Sequence, residues 1–282
     1  RVLASCGYAS TRQGNMYGVV IDRDRSAMVP VGCITSENSR AEPIEINFDA
    51  IPHGIVASYF DEDADYQQKE VTVYRAGYSA ETATDVRSEG PYIGLTTAAK
   101  ATARATYNLN QMRWRNITYP RIMSEEAMIY GRGDLVRLAD EIVDRHIYSG
   151  LIKEVVSNAG FVTALQLYAV QKISESASDP TAWPDIDAVP DVDALVDFGA
   201  TITLRQGSTV TAAIVEQTDT DTITFVTPIA DTGQFARWLP VSIGPLGREG
   251  RDVIVLHKEK VGDGEWCVSC IDVANQVFEG VL

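Results

Sequence analysis

The chain has 282 residues, 45% of them hydrophobic and 22% charged, with a net charge of −15. That composition excludes global disorder and gives length enough for two or three compact units, while the acidic balance argues against nucleic acid as an electrostatic partner of the whole surface. No apolar run approaches the ~18 residues that a membrane-spanning helix needs, so no membrane-spanning segment is expected.

In chain order, the first 50 residues read as the C-terminal part of a small β-rich subdomain. Strands are expected at Tyr17 to Asp22, Met28 to Ile34 and Pro43 to Phe48, with turns at Gln13-Gly14-Asn15 and Asp22-Arg-Asp-Arg25. The start at Arg1, with no charged-then-apolar leader, reads as a piece of something longer. A second β domain follows over 51–155. In it His53 to Phe60 should pair with Glu70 to Tyr74 around Asp61-Glu-Asp-Ala-Asp65, since Val71 and Val73 alternate with Thr72 and Tyr74 as in a half-buried strand.

A helix is expected over 96–111. Leu95, Ala98, Thr102, Ala105, Leu109 and Met112 make a narrow apolar stripe, and five alanines add propensity and permit close approach to a sheet. Strands are then expected from Trp114 to Pro120, and in a hairpin of Glu125 to Tyr130 with Leu135 to Asp140 around Arg132-Gly133. Residues 156–282 read as a further β-rich region whose long loop, 174–193, is rich in Ser, Asp and Pro. Its strands should be Thr201 to Arg205, Thr209 to Val215, Thr222 to Thr227, 252–256 and 266–273. The fold class is therefore mainly β (α+β): small β-barrel or sandwich domains with one amphipathic helix packed on a sheet.

Charge is unevenly spread. From Pro91 to Met123 there is no acid, and Lys100, Arg104, Arg113, Arg115 and Arg121 give +5; from Asp179 to Asp197 there are six Asp and no base. Such a basic stripe and acidic loop suit contacts between subunits or with neighbours in an assembly, or else two solvated faces. Cys267-Val-Ser-Cys270 has a metal-type spacing but lies in an expected strand, where side chains three apart point to opposite faces, so these read as buried strand cysteines; Cys6 and Cys33 add no framework.

Asp61, Asp63 and Asp65 space like the start of a calcium loop. Tyr66 and Thr72 stand where that loop needs Gly and a bidentate Glu, so the three Asp read as a solvated acidic loop, with a weak divalent-cation site as the alternative. Arg132-Gly133-Asp134 is the integrin-type tripeptide, but Gly suits a tight turn there. His53, His146 and His257 fit no catalytic spacing. No catalytic, cofactor or metal residues are assigned, and no enzyme activity is expected.

The order of pieces carries further information. Cys6-Gly-Tyr, Tyr17-Gly-Val-Val-Ile-Asp-Arg, the acidic segment Ser58 to Tyr74, the basic Ala-rich helix and Tyr130-Gly-Arg-Gly-Asp-Leu-Val-Arg-Leu138 come first. Val253-Ile-Val-Leu and Cys267 to Phe278 come last. This order resembles the tail-tip hub of siphophages, the tip-attachment host-specificity (protein J-like) family of phages and prophages, over roughly residues 1–155 and 246–282.

The resemblance implies a virion structural protein acting as a homotrimer that closes the distal tail and links the tail tube to the receptor-binding tip. It would open for the genome and the tape-measure protein on receptor engagement. Implied partners are copies of itself, distal-tail and other tail-tip proteins and the tape-measure protein, with the host surface receptor contacted through regions outside this chain. The implied location is the virion tail tip, with the host cytoplasm during assembly. Lys100, Arg104, Arg113 and Arg115 are assigned to the assembly interface. Rival readings are a cell-wall hydrolase using Asp61 and Asp65, which should show a pKa-shifted acid in a concave site, and a carbohydrate-binding β module with an exposed platform at Trp183 and Trp238.

Overall fold

The computed structural model describes residues 8–13, 16–47, 51–139, 148–168, 198–219, 221–247 and 249–281. They form a mainly β protein with one α-helix among them. In chain order the strands before the helix are β1 (Tyr8–Gln13), β2 (Met16–Ile21), β3 (Cys33–Thr35), β4 (Ser39–Ala41), β5 (Glu45–Ile46), β6 (Gly54–Asp61), β7 (Gln67–Tyr74) and β8 (Val86–Glu89). The helix α1 (Ala98–Trp114) is followed by β9 (Ile117–Met123), β10 (Leu135–Ala139), β11 (Tyr148–Asn158) and β12 (Phe161–Tyr168). The last strands are β13 (Phe198–Leu204), β14 (Ser208–Asp219), β15 (Thr222–Ala230), β16 (Pro240–Pro245), β17 (Arg251–Gly262) and β18 (Glu265–Asp272).

The chain groups into two compact units, one of Arg1–Met28, Glu42–Asp134 and Val253–Leu282, the other of Val29–Ala41 and Leu135–Asp252. In the first, β6 pairs antiparallel with β7 and parallel with β8. The helix lies on this sheet because its small residues let it approach closely: Ala101, Ala105 and Leu109, four apart, pack with Ile55, Ala57, Tyr59, Tyr92 and Leu95. The buried line is thus turned from the expected stripe, and Ala98 and Met112 face solvent. In the same unit β17, from Val253 onward, pairs antiparallel with β18, β18 with β9, and β5 with the start of β9.

The second unit is built on a closed barrel, β11-β12-β15-β14-β13-β16, filled by Ile152, Val162, Leu165, Leu167, Ala200, Ile202, Ile223, Phe225, Val241 and Ile243. Register shifts between Ile152 and Glu154, Val162 and Ala164, and Ile214 and Glu216 supply the local bending that closure requires. Residues Ala159 and Gly160 both have positive φ and join β11 to β12 as a two-residue hairpin of the primed kind. Beside the barrel, β10 runs parallel to β3, and Arg137 ties this unit's interior: its Nε donates to Asp252 at 2.9 Å and its Nη1 to Thr201 at 2.9 Å and to the buried Glu249 at 3.2 Å.

Four expected strands differ. Of Pro43 to Phe48 only Glu45–Ile46 is a strand among the described residues. Met28 to Gly32 is irregular, with only Cys33–Thr35 extended, because Met28 and Val29 are exposed and Pro30 offers no ladder donor. Glu125–Ile129 is a 3-10 turn that leaves Met128 and Ile129 at the surface, so no hairpin forms with β10. The helix runs on to Trp114, which moves the next strand to β9, since no Gly or Pro stops it after Gln111. The 174–193 loop, the turn at Gly14-Asn15, Cys6, His146 and Trp183 lie outside the described residues.

Candidate functional site

The first unit holds a cleft of about 200 Å³ lined in part by the β1–β2 hairpin. Ala9 and Val20 form one wall, Ile254, Val255, Leu256 and Ile271 another, and Asp22, Arg25, Arg104, Tyr107, Arg115 and Arg132 supply the polar groups. Four guanidiniums thus face a single carboxylate, an excess of positive charge in a strongly acidic protein.

Asp22 organises this set. The segment Asp22-Arg-Asp-Arg25, expected to be a turn, folds Asp22 inward to meet the end of α1. Arg25 donates from Nη1 to Asp22 Oδ1 at 2.8 Å, and Tyr107 Oη and Arg115 Nη1 both donate to Oδ2. Arg115 also donates to the Val273 carbonyl from Nε at 3.1 Å and Nη2 at 2.7 Å, and lies over the Phe278 ring. Arg25 reaches the Gly133 carbonyl at 3.1 Å and the Arg23 carbonyl at 3.0 Å. Side-chain exposure is 4% for Arg25, 2% for Arg115 and 19% for Asp22, so the cluster is largely withdrawn from water.

Burial acts to raise the Asp22 pKa, but the donors Arg115 and Tyr107, the Arg115 charge and Arg25 outweigh it and hold the carboxyl below its ordinary range. Burial, reinforced by the Asp22 bond, pushes the Tyr107 phenol well above its usual value. At neutral pH both groups therefore keep one protonation state, Asp22 ionised and Tyr107 neutral, which suits fixed binding and orientation rather than proton transfer.

Gly133 closes the cleft. It has φ +89°, its N–H donates to the Val255 carbonyl at 2.8 Å, and an added Cβ would stand 2.3 Å from Val20 Cγ1. The Arg-Gly-Asp tripeptide is thus a turn: Asp134 accepts from the Gly131 N–H at 2.7 Å and Arg132 donates to the Ser10 carbonyl at 3.2 Å.

The four expected interface residues separate into distinct environments. Lys100 and Arg113 are exposed, the latter 4.6 Å over the Trp114 ring, with Met112 and Trp114 exposed beside it. Arg104 is half-buried over the Tyr107 ring at 4.9 Å. Arg115 is turned into the protein and committed to Asp22. Sequence reading missed Asp22, Arg25 and Tyr107. The available signal was an acid-free stretch of +5 that needs a counter-charge from elsewhere in the fold.

The remaining motifs have structural partners. Lys69 donates to Asp61 at 2.5 Å, and that bond, with the Asp63 N–H and the Lys69 charge, holds the Asp61 carboxyl below its usual range, opposite to what a general acid needs. Asp61 is buried rather than solvated and caps a 3-10 turn. His53 stacks on Tyr78 with centroids 3.9 Å apart and accepts from the Thr84 N–H at 3.1 Å. In the second unit Trp238 is 55% exposed, but one of its faces is taken by Tyr168, stacked at 4.6 Å.

Cys33, Cys267 and Cys270 are buried free thiols. Burial raises the Cys33 thiol to about 11, against the Thr203 hydrogen bond, and the Cys270 thiol to about 12. Cys33 and Cys270 should therefore resist iodoacetamide at pH 8 in the folded protein and react within minutes in urea, as read by peptide mass mapping. Labelling of Cys33 at the same rate in both conditions would contradict the barrel-side packing.

No family model and no curated protein matches the chain. Among solved structures, a chain of the virion of a native gene transfer agent particle aligns with a TM-score of 0.38 and 18% identity, over 63% of this chain and 39% of that one. The tail protein from Neisseria meningitidis MC58 aligns with a TM-score of 0.36 and 13% identity, over 59% of this chain and 48% of that one. The chain matches less than half the length of either.

Proposed function

We propose that this chain is a virion structural protein, part of the trimeric hub of a phage tail tip that closes the distal tail and links the tail tube to the receptor-binding tip. The observation that supports this reading is the order of pieces across residues 54–139: an acidic hairpin (β6 and β7), a basic Ala-rich helix packed on it, and a strand (β10) entered through the Gly133 turn. The same order carries the resemblance to the siphophage hub family. In this reading the partners are copies of the chain, distal-tail and tip proteins and the tape-measure protein, and regions outside the chain meet the host receptor. The site of action is the virion, after assembly in the host cytoplasm.

The helix offers the assembly face. Lys100 presents charge at the start of the helix, and Arg113, about 20 Å further along it, does so beside exposed Met112 and Trp114, a mix of charge and apolar surface that fits a subunit contact. Replacing Lys100 and Arg113 by Glu in the parent phage exchanges attraction for repulsion against an acidic partner surface. The expected result is tails that are missing or stalled at the tip, while the isolated chain keeps its circular dichroism spectrum and melting temperature. Complete infectious particles of altered host range would place this face in receptor contact instead. Release of glycan fragments by the purified chain, lost on Asp61→Asn, would favour the hydrolase.

A further inference from the structure

Arg104 is half-buried in the cleft wall, and its Nε is shielded from solvent yet has no acceptor among the described residues. Arg25 lines the same cleft at 5% residue exposure, and its Nε is also without an acceptor, although its two terminal nitrogens are satisfied. Buried guanidinium N–H groups are rarely left unpaired, because each has lost water without regaining a bond. Asp22 cannot serve them: both of its oxygens already accept from Arg25, Tyr107 and Arg115. The cleft therefore holds spare donors, uncompensated positive charge and apolar walls.

We infer that the cleft binds a carboxylate from outside the chain, of the kind an Asp or Glu side chain of a partner protein presents. A single negative charge fits better than a phosphate dianion. Asp22 has already neutralised part of the basic set, and its own charge would repel a second negative charge at close range. A carboxylate also accepts well from guanidinium N–H groups and takes few donors to satisfy. The apolar wall at Val20 and Ile254 suits the methylene stem of such a side chain. This site goes beyond the hub reading and stands independently of it, because it specifies a chemical group and not an assembly.

The test is calorimetric titration of the full chain at constant ionic strength with four probes: a short Asp-Gly-Asp peptide, its Asn-Gly-Asn counterpart blocked at both ends like the first, succinate, and inorganic phosphate. The Asp peptide should bind and the Asn peptide should not. Arg104→Gln should weaken Asp-peptide binding about tenfold, the loss of one charge-assisted hydrogen bond. Its melting temperature should fall only slightly, since no ion pair of Arg104 is lost and only its contact over the Tyr107 ring is removed. Arg104→Lys, which keeps the charge without the Nε–H, should fall between. Succinate binding as well as the peptide would support the carboxylate site and move its source to a free organic acid. Equal binding of the Asp and Asn peptides, Asp-peptide affinity unaffected by Arg104→Gln, or phosphate binding tenfold tighter than the peptide would each overturn the inference. None of these outcomes bears on whether Lys100 and Arg113 direct tail assembly, so the two readings fail separately.

Discussion

Asp22→Asn should destabilise the first unit by about 3–5 kcal/mol, the largest effect expected of any single substitution here, because it removes the one carboxylate that neutralises two buried guanidiniums. Asn retains the size and an acceptor but not the charge, so the cost falls on Arg115 and Arg25, which stay buried without a counter-ion. Urea unfolding at pH 7 reads the effect directly. The pH dependence gives a second signature. The Asp22 pKa is depressed in the folded state, so its contribution is complete above the ordinary carboxylate pKa and is lost as the pH falls through the folded value. The gap between wild type and Asp22→Asn should therefore be wide at pH 7 and narrow progressively in acid. A gap that stayed constant down to pH 2 would show that shape, and not charge, is what the position requires.

Gly133→Val should cost about 2–5 kcal/mol by two additive routes. The position has φ +89°, where a β-branched residue is strained, and a new Cβ would stand 2.3 Å from Val20 Cγ1, well inside carbon–carbon contact distance. A control separates the routes. Gly133→Ala together with Val20→Ala relieves the contact but not the dihedral strain, so it should recover part of the loss relative to Gly133→Ala alone. A melting temperature unchanged by Gly133→Val would show that the turn at Arg132-Gly133-Asp134 is not what positions the cleft.

These two positions also show what a linear reading of the chain can and cannot reach. The Gly133 turn is a local matter of one residue's φ and is legible from Gly next to a charged pair. The β6–β7 hairpin is legible for the same reason: Val71 and Val73 alternate with Thr72 and Tyr74, and period-two burial needs no knowledge of the rest of the fold. The barrel hairpin of β13 with β14 follows from Gly207 between two Thr-rich runs.

Elements that depend on distant context were misjudged. Ala127-Met-Ile-Tyr130 is an apolar run that fits strand or turn, and only its surroundings make it a 3-10 segment with Met128 exposed. The cleft was least legible of all, because Asp22 and Arg115 stand 93 positions apart and Asp22 and Tyr107 stand 85 apart. Local pattern assigned Asp22 to a strand end at a turn and Arg115 to an assembly interface. The fold instead closes one charge upon the other.

The closed barrel of the second unit sets a rule for how its surface can change. Each barrel strand pairs with a neighbour on both sides over at least part of its length, so none is an edge strand open along its whole length to a foreign strand. Recognition on the barrel then rests on side chains and loops more than on strand addition. Phe161 and Val226, both exposed on barrel strands, can then be exchanged for other residues at little cost to the ladder beneath them. A surface of that kind is free to drift quickly in sequence while its frame is retained, and this allows the recognition chemistry of a protein to be rewritten without refolding it.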